Sequence, residues 1–253
     1  MRTPLPLDAA RAILYDLDGV LTPTAEVHMR AWARLFTEYL AARGDARPYT
    51  DADYFSYIDG RPRYDGVRAM LASRDITLPE GEPTDSAEAE TVCGLGNRKN
   101  AAFTSELEEH GVAPYPGSVA FLDAGLAAGI RAAVVSSSAN AVPVLRAAGL
   151  LDRVELVVDA QVARAERLPG KPAPDTYLHA ASALGIAPEH CVVVEDAHSG
   201  VEAGARGGFG LVLGVNRGVG ADTLTASGAD LVVDDLAELT HVLVGASRRD
   251  GED

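Results

Sequence analysis

Short apolar runs that stop abruptly at polar residues set the rhythm of this chain. Ala12-Ile13-Leu14-Tyr15 ends at Asp16-Leu17-Asp18-Gly19, Ala132-Ala133-Val134-Val135 ends at Ser136-Ser137-Ser138, and Cys191-Val192-Val193-Val194 ends at Glu195-Asp196. Runs this short, bounded by turn residues, read as strands. From residue 119 onward, helix and strand patterns alternate over 119–128, 132–136, 141–148, 154–158, 176–184, 191–195, 201–206 and 211–214, with a last strand expected at 229–233. Such alternation implies right-handed crossovers and a parallel sheet, hence the α/β class. Residues 24–111 interrupt it. They lack strong strand runs and place Ala31, Trp32, Leu35, Phe36, Tyr39 and Leu40 at helical spacing. The chain thus divides into a core, residues 1–23 and 112–253, and a helical insert, residues 24–111. Within the insert, the Pro, Gly and acid-rich stretch 78–86 reads as an exposed loop. Residues 248–253 read as a solvated tail.

The strand ends carry the chemistry. Asp16 and Asp18 are two apart, so in an extended segment they share a side and address one ligand, while Gly19 lets the chain turn sharply beyond them. Two carboxylates that close need a cation or a proton between them. The competing reading is an ordinary strand-end turn, where Asp and Gly are common. Glu195 and Asp196 repeat the layout at a second strand end. Ser136 stands at a third, just before a helical pattern, where hydroxyls and free amides hold phosphate. Lys171, in Pro169-Gly-Lys-Pro-Ala-Pro-Asp175, supplies a cation from a rigid loop. Taken singly, Ser136 is an ordinary helix cap, Lys171 a solvated lysine and Glu195 an exposed acid. Together they form a phosphoryl-transfer kit.

In that order, Asp16-x-Asp18, Ser136, Lys171 and Glu195-Asp196, the motifs resemble those of the haloacid dehalogenase superfamily, over nearly the whole chain. The segments 16–32, Gly60-Arg-Pro-Arg63, Arg98-Lys99-Asn100 and Ser136-Ser-Ser-Ala-Asn140 resemble the β-phosphoglucomutase-like branch. The resemblance implies a Rossmann-like, doubly wound core with an inserted all-helical cap. It implies Asp16 as a nucleophile passing through an aspartyl-phosphate, Asp18 as general acid and base, and Ser136 and Lys171 as holders of the phosphoryl group. Mg²⁺ would be bound by Asp16, the Asp18 carbonyl, Glu195 and Asp196. Arg63 resembles the cap arginine that grips the non-transferring phosphate, against a surface charge beside a proline turn. Lys99 and His28 would steer or sense cap closure, against solvated helix faces. Ser138 and Asn140 would touch the distal phosphate, cap the following helix, or do both, and Trp32 is expected in the cap core. Two positions depart from the branch pattern. Pro23 replaces an acid at the crossing into the cap and stiffens it. Ala139 replaces a lysine and removes a positive contact to the distal phosphate.

Composition narrows the partners. The 253 residues, 47% hydrophobic, suffice for one large core with a smaller lid. A formal net charge of −15 argues against nucleic-acid or anionic-membrane partners but not against an anionic substrate, because local cations act within about 8 Å. Two cysteines make no disulfide framework, and Cys191 reads as a buried thiol suited to a reducing cytosol. No secretory leader, membrane span or solenoid repeat is expected, and a cytoplasmic monomer acting on a small sugar phosphate is. Three readings stay open: a mutase interconverting β-glucose 1-phosphate and glucose 6-phosphate, a Mg²⁺-dependent sugar-phosphate phosphatase, and a catalytically silent sugar-phosphate sensor.

Overall fold

The computed structural model describes residues 4–247, so the tail expected over 248–253 lies outside the described residues. The chain forms two compact units, one of Met1–Pro23 with Ala113–Asp253 and one of Thr24–Val112. In the first, strands β1 (Ala12–Tyr15), β2 (Arg131–Val135), β3 (Leu156–Val158), β4 (Cys191–Glu195), β5 (Leu211–Val215) and β6 (Leu231–Val233) form one parallel sheet ordered β3-β2-β1-β4-β5-β6. The order reverses between β1 and β4, the switch point where open α/β sheets place their ligands. The second unit contributes α1 (Thr24–Ala42), α2 (Asp51–Tyr57), α3 (Arg63–Ala72) and α4 (Val92–His110). The first unit resumes with α5 (Pro116–Ala127), α6 (Ala141–Ala147), α7 (Ala160–Ala165), α8 (Asp175–Ala183), α9 (His198–Arg206), α10 (Ala221–Ser227) and α11 (Thr240–Ser247).

Every residue of β1, β4 and β5 is buried, which explains why these strands read as unbroken apolar runs rather than alternating ones. On one face Leu14, Val135 and Val193 pack with Tyr177 and Phe209. Cys191 lies in the same cluster as a free thiol, and burial pushes its pKa up to about 11. In the second unit the stripe foreseen on α1 is buried, with Trp32 stacked on Phe36 at 5.6 Å, so Trp32 is a core residue. Residues 78–86 form an irregular segment before α4, whose N-cap Thr91 accepts the Gly94 N–H at 2.9 Å. No described helix is long and apolar enough to cross a membrane.

Candidate active site

Sheet register assembles the site. Tyr15 is level with Val134 of β2 and Val194 of β4, so the next step along β1 sets Asp16 beside Val135 and Glu195. The Asp16 N–H donates to the Val194 carbonyl at 2.9 Å, which continues the ladder to the carboxylate itself. Carboxylate oxygens of Asp16, Glu195 and Asp196 lie within 4.8 Å of one another, and all three residues are buried.

Lys171 reaches this cluster from the loop before α8. Its Nζ stands 2.5 Å from Asp16 Oδ1 and 2.5 Å from Glu195 Oε1, and it donates to the Val135 carbonyl at 3.0 Å. Only 2% of its side chain is exposed, so these buried partners take the place of water around the ammonium. Burial would drive the ammonium toward neutrality, but the two carboxylates outweigh that, and the Lys171 pKa is raised. The Asp16 pKa is also raised well above the usual carboxylate range: burial is the main cause, Lys171 opposes it, and the charges of Glu195 and Asp18 add to it.

Three buried carboxylates against one ammonium leave a formal deficit of two positive charges. The all-oxygen donor set is the kind that hard divalent cations take, and such an ion would cancel the deficit. The backbone makes room for these groups rather than for side chains. A Cβ on Gly19, at φ +90°, would fall 1.8 Å from Asp196 Oδ2, and one on Gly200 of α9 would fall 1.8 Å from Glu195 Oε1. The residues present therefore fit a divalent ion.

Asp18 faces a different partner. Its Oδ2 accepts from Ser136 Oγ at 3.3 Å, and Ser136 Oγ in turn accepts the Ser138 N–H at 3.0 Å. Ser136 thus orders the loop after β2 and does not cap α6. The Ser138 hydroxyl accepts the Asn140 N–H at 3.1 Å, whereas the Asn140 side chain makes no cap bond to α6. Asp16, Asp18, Ser136, Lys171, Glu195 and Asp196 are brought together at the strand ends, with Ser138 and Asn140 on the adjoining loop.

Within the other unit, the expected cap residues gather against α4. Arg63 donates to Asn100 Oδ1 at 2.7 Å and to Asn97 Oδ1 at 3.4 Å. Lys99 bonds His28 Nδ1, and its Nζ lies 4.9 Å from the Phe103 ring centre and 5.2 Å from that of Trp32. His28 stacks on Phe103 at 4.1 Å. Lys99 is buried, so the solvated-face reading of this lysine does not hold.

Sequence reasoning missed Tyr177. Its hydroxyl donates to Glu195 Oε1 at 2.8 Å, and its ring lies 5.0 Å beneath Lys171 Nζ. Burial, then the Glu195 charge, raises its pKa well above the phenol value, so it remains a donor. Its sole signal was its place six residues after Lys171, where an apolar helix position was expected.

A parallel sheet with acids at its switch point and a buried lysine between them defines a family as well as a site. A family model described as haloacid dehalogenase-like hydrolase matches residues 10–208, and the chain belongs to that family. Among curated relatives, a β-phosphoglucomutase of Mycobacterium bovis is 48% identical over 241 residues, 92% of each chain. Hexitol phosphatase A of Escherichia coli is 33% identical over 234 residues, 91% of this chain and 93% of that one. The fold is similar to the crystal structure of a β-phosphoglucomutase from Clostridium difficile, with TM-score 0.73 and 24% identity over 96% of this chain and 98% of that one.

Proposed function

We propose that this chain, as a cytoplasmic monomer, interconverts β-glucose 1-phosphate and glucose 6-phosphate through the 1,6-bisphosphate. Mg²⁺ would be bound by Asp16, Glu195, Asp196 and the Asp18 carbonyl. The observation that carries the reading is the division of labour between the paired acids. Asp16 is tied to Lys171, while Asp18, two residues on, turns to Ser136. The 48% identity to a mutase supports the sugar assignment.

The roles follow from the environments. An Asp16 oxygen attacks phosphorus as the phosphorus–oxygen bond to the sugar breaks, giving an aspartyl-phosphate. Asp18 gives its proton to the departing sugar oxygen, then takes one from the hydroxyl that attacks in the return step. The ammonium of Lys171 and the hydroxyl of Ser136 hold the oxygens of the moving group. When bound, Mg²⁺ shields that negative charge. Arg63 grips the phosphate that stays on the sugar, with Ser138 and Asn140 serving the distal phosphate and Lys99 and His28 ordering the cap around it. Exclusion of water from the acyl phosphate is what separates return of the group to the sugar from hydrolysis.

Incubation with β-glucose 1-phosphate, a trace of the bisphosphate and Mg²⁺ tests this directly. Glucose 6-phosphate without inorganic phosphate is expected, and Asp16→Asn abolishes it. The 33% identity to a hexitol phosphatase supports a second reading, hydrolysis of a sugar phosphate. Stoichiometric phosphate release would establish that reading and end the first. Arg63→Ala is expected to weaken bisphosphate use more than aryl phosphate hydrolysis; equal losses would contradict its role.

A further inference from the structure

The turn that carries Asp18 is tied at nearly every carbonyl. Leu17 O accepts from the Leu21 and Thr22 N–H groups, each at 3.0 Å, and Thr22 O accepts from the Gly19 N–H at 2.7 Å. Val20 O accepts from the buried Ser118 hydroxyl at 2.6 Å, and Leu21 O from the Tyr115 N–H at 3.0 Å. The Gly19 carbonyl, one residue after Asp18, is held by a side chain from the loop after β5. Arg217 Nε donates to it at 3.1 Å.

Arg217 is itself well fixed. It lies in the loop after β5, where the Asn216 N–H donates to the Val233 carbonyl at 2.8 Å and the Asn216 amide to Asp234 at 3.0 Å. Its guanidinium lies 4.0 Å over the Tyr115 ring, donates to the Asp234 carbonyl at 3.1 Å and stands 3.8 Å from Asp235 Oδ2. A planar fork stacked on one face and bonded along its edge has little freedom to turn. A Cβ-less residue at φ +90° has a great deal, so the bond from Arg217 adds an outside restraint to the peptide after Gly19.

We propose that Arg217 is a positioning residue for proton transfer: by fixing the Gly19 carbonyl it sets the direction in which Asp18 presents its carboxyl to the sugar oxygen. The proposal rests on the reading of Asp18 as acid and base. Its effect must then depend on how badly the leaving group needs a proton, which loss of general structural support would not do. A sugar alkoxide needs one and a nitrophenolate does not.

The test compares single-turnover phosphoryl transfer from glucose 1,6-bisphosphate with single-turnover release of p-nitrophenolate from p-nitrophenyl phosphate, both with Mg²⁺. Positioned acid and base groups contribute about 10²–10⁴-fold, so Arg217→Met is expected to slow sugar transfer by about 10–100-fold and aryl release by less than about threefold. Arg217→Lys keeps the charge but not the fork, folds without a buried apolar replacement, and should show the same split at smaller size. In the Asp18→Asn background, Arg217→Met should add nothing to the loss of sugar transfer, since it acts through that carboxyl. Equal slowing on both substrates, or full additivity, overturns the positioning role. If Asp18→Asn alone shows no split, the assignment of Asp18 fails first, and the role of Arg217 falls with it.

Discussion

Lys171 is buried between the carboxylates of Asp16 and Glu195. Removing one partner of a buried ion pair costs about 3–5 kcal/mol, because the charge left behind is uncompensated. Lys171→Met is therefore expected to lose about that much stability in urea denaturation without divalent metal, together with nearly all turnover. Neutralising one of the stranded acids relieves the strain. A Lys171→Met, Glu195→Gln double variant should recover stability but not activity, and failure to recover it would mean that the pair is not the source of the loss.

In the second unit a capped helix end works alongside the buried apolar stripe. Thr91 caps α4 through the Gly94 N–H and donates to Asp85 Oδ2 at 2.6 Å, and α4 carries Asn97, Lys99 and Asn100. Thr91→Ala should cost about 1 kcal/mol. For a chain of this size that is about 2–4 °C in thermal melting. Legibility followed the same logic. β1 and β4 were readable to the residue because buried parallel strands are uninterrupted apolar runs ended by acids. α7, with the sequence Ala-Gln-Val-Ala-Arg-Ala, has too few apolar positions to show a period, and it starts where Asp159 caps it. The acids and Lys171 were legible from type and order. Tyr177 and Arg217 were not, because one looks like a core aromatic and the other like a surface charge. Only the register of the sheet reveals what each touches.

Charge sets the behaviour of the whole molecule. The formal charge of −15 is spread over the chain, but the site concentrates a local deficit that a divalent ion would meet and a monovalent salt would not. Mg²⁺ at a hundredfold excess over its dissociation constant should stabilise the fold by about 2.7 kcal/mol. NaCl at equal ionic strength serves as the control for screening. Scanning fluorimetry should show the Mg²⁺ increment in the parent chain and lose it in Asp196→Asn. An increment of equal size in that variant would place the ion elsewhere.

The sheet order also has a consequence during synthesis. β1 is made first, yet its neighbours begin only at Arg131 and Cys191. At about 5–20 residues per second, four greasy residues emerging from the ribosome wait roughly 6–24 s for one side to be covered and longer for the other. The 89 contiguous residues of Thr24–Val112 emerge during that wait, with an apolar cluster of their own to close. Nascent chains halted before residue 191 should leave β1 open to chaperone capture while this intervening unit is already folded.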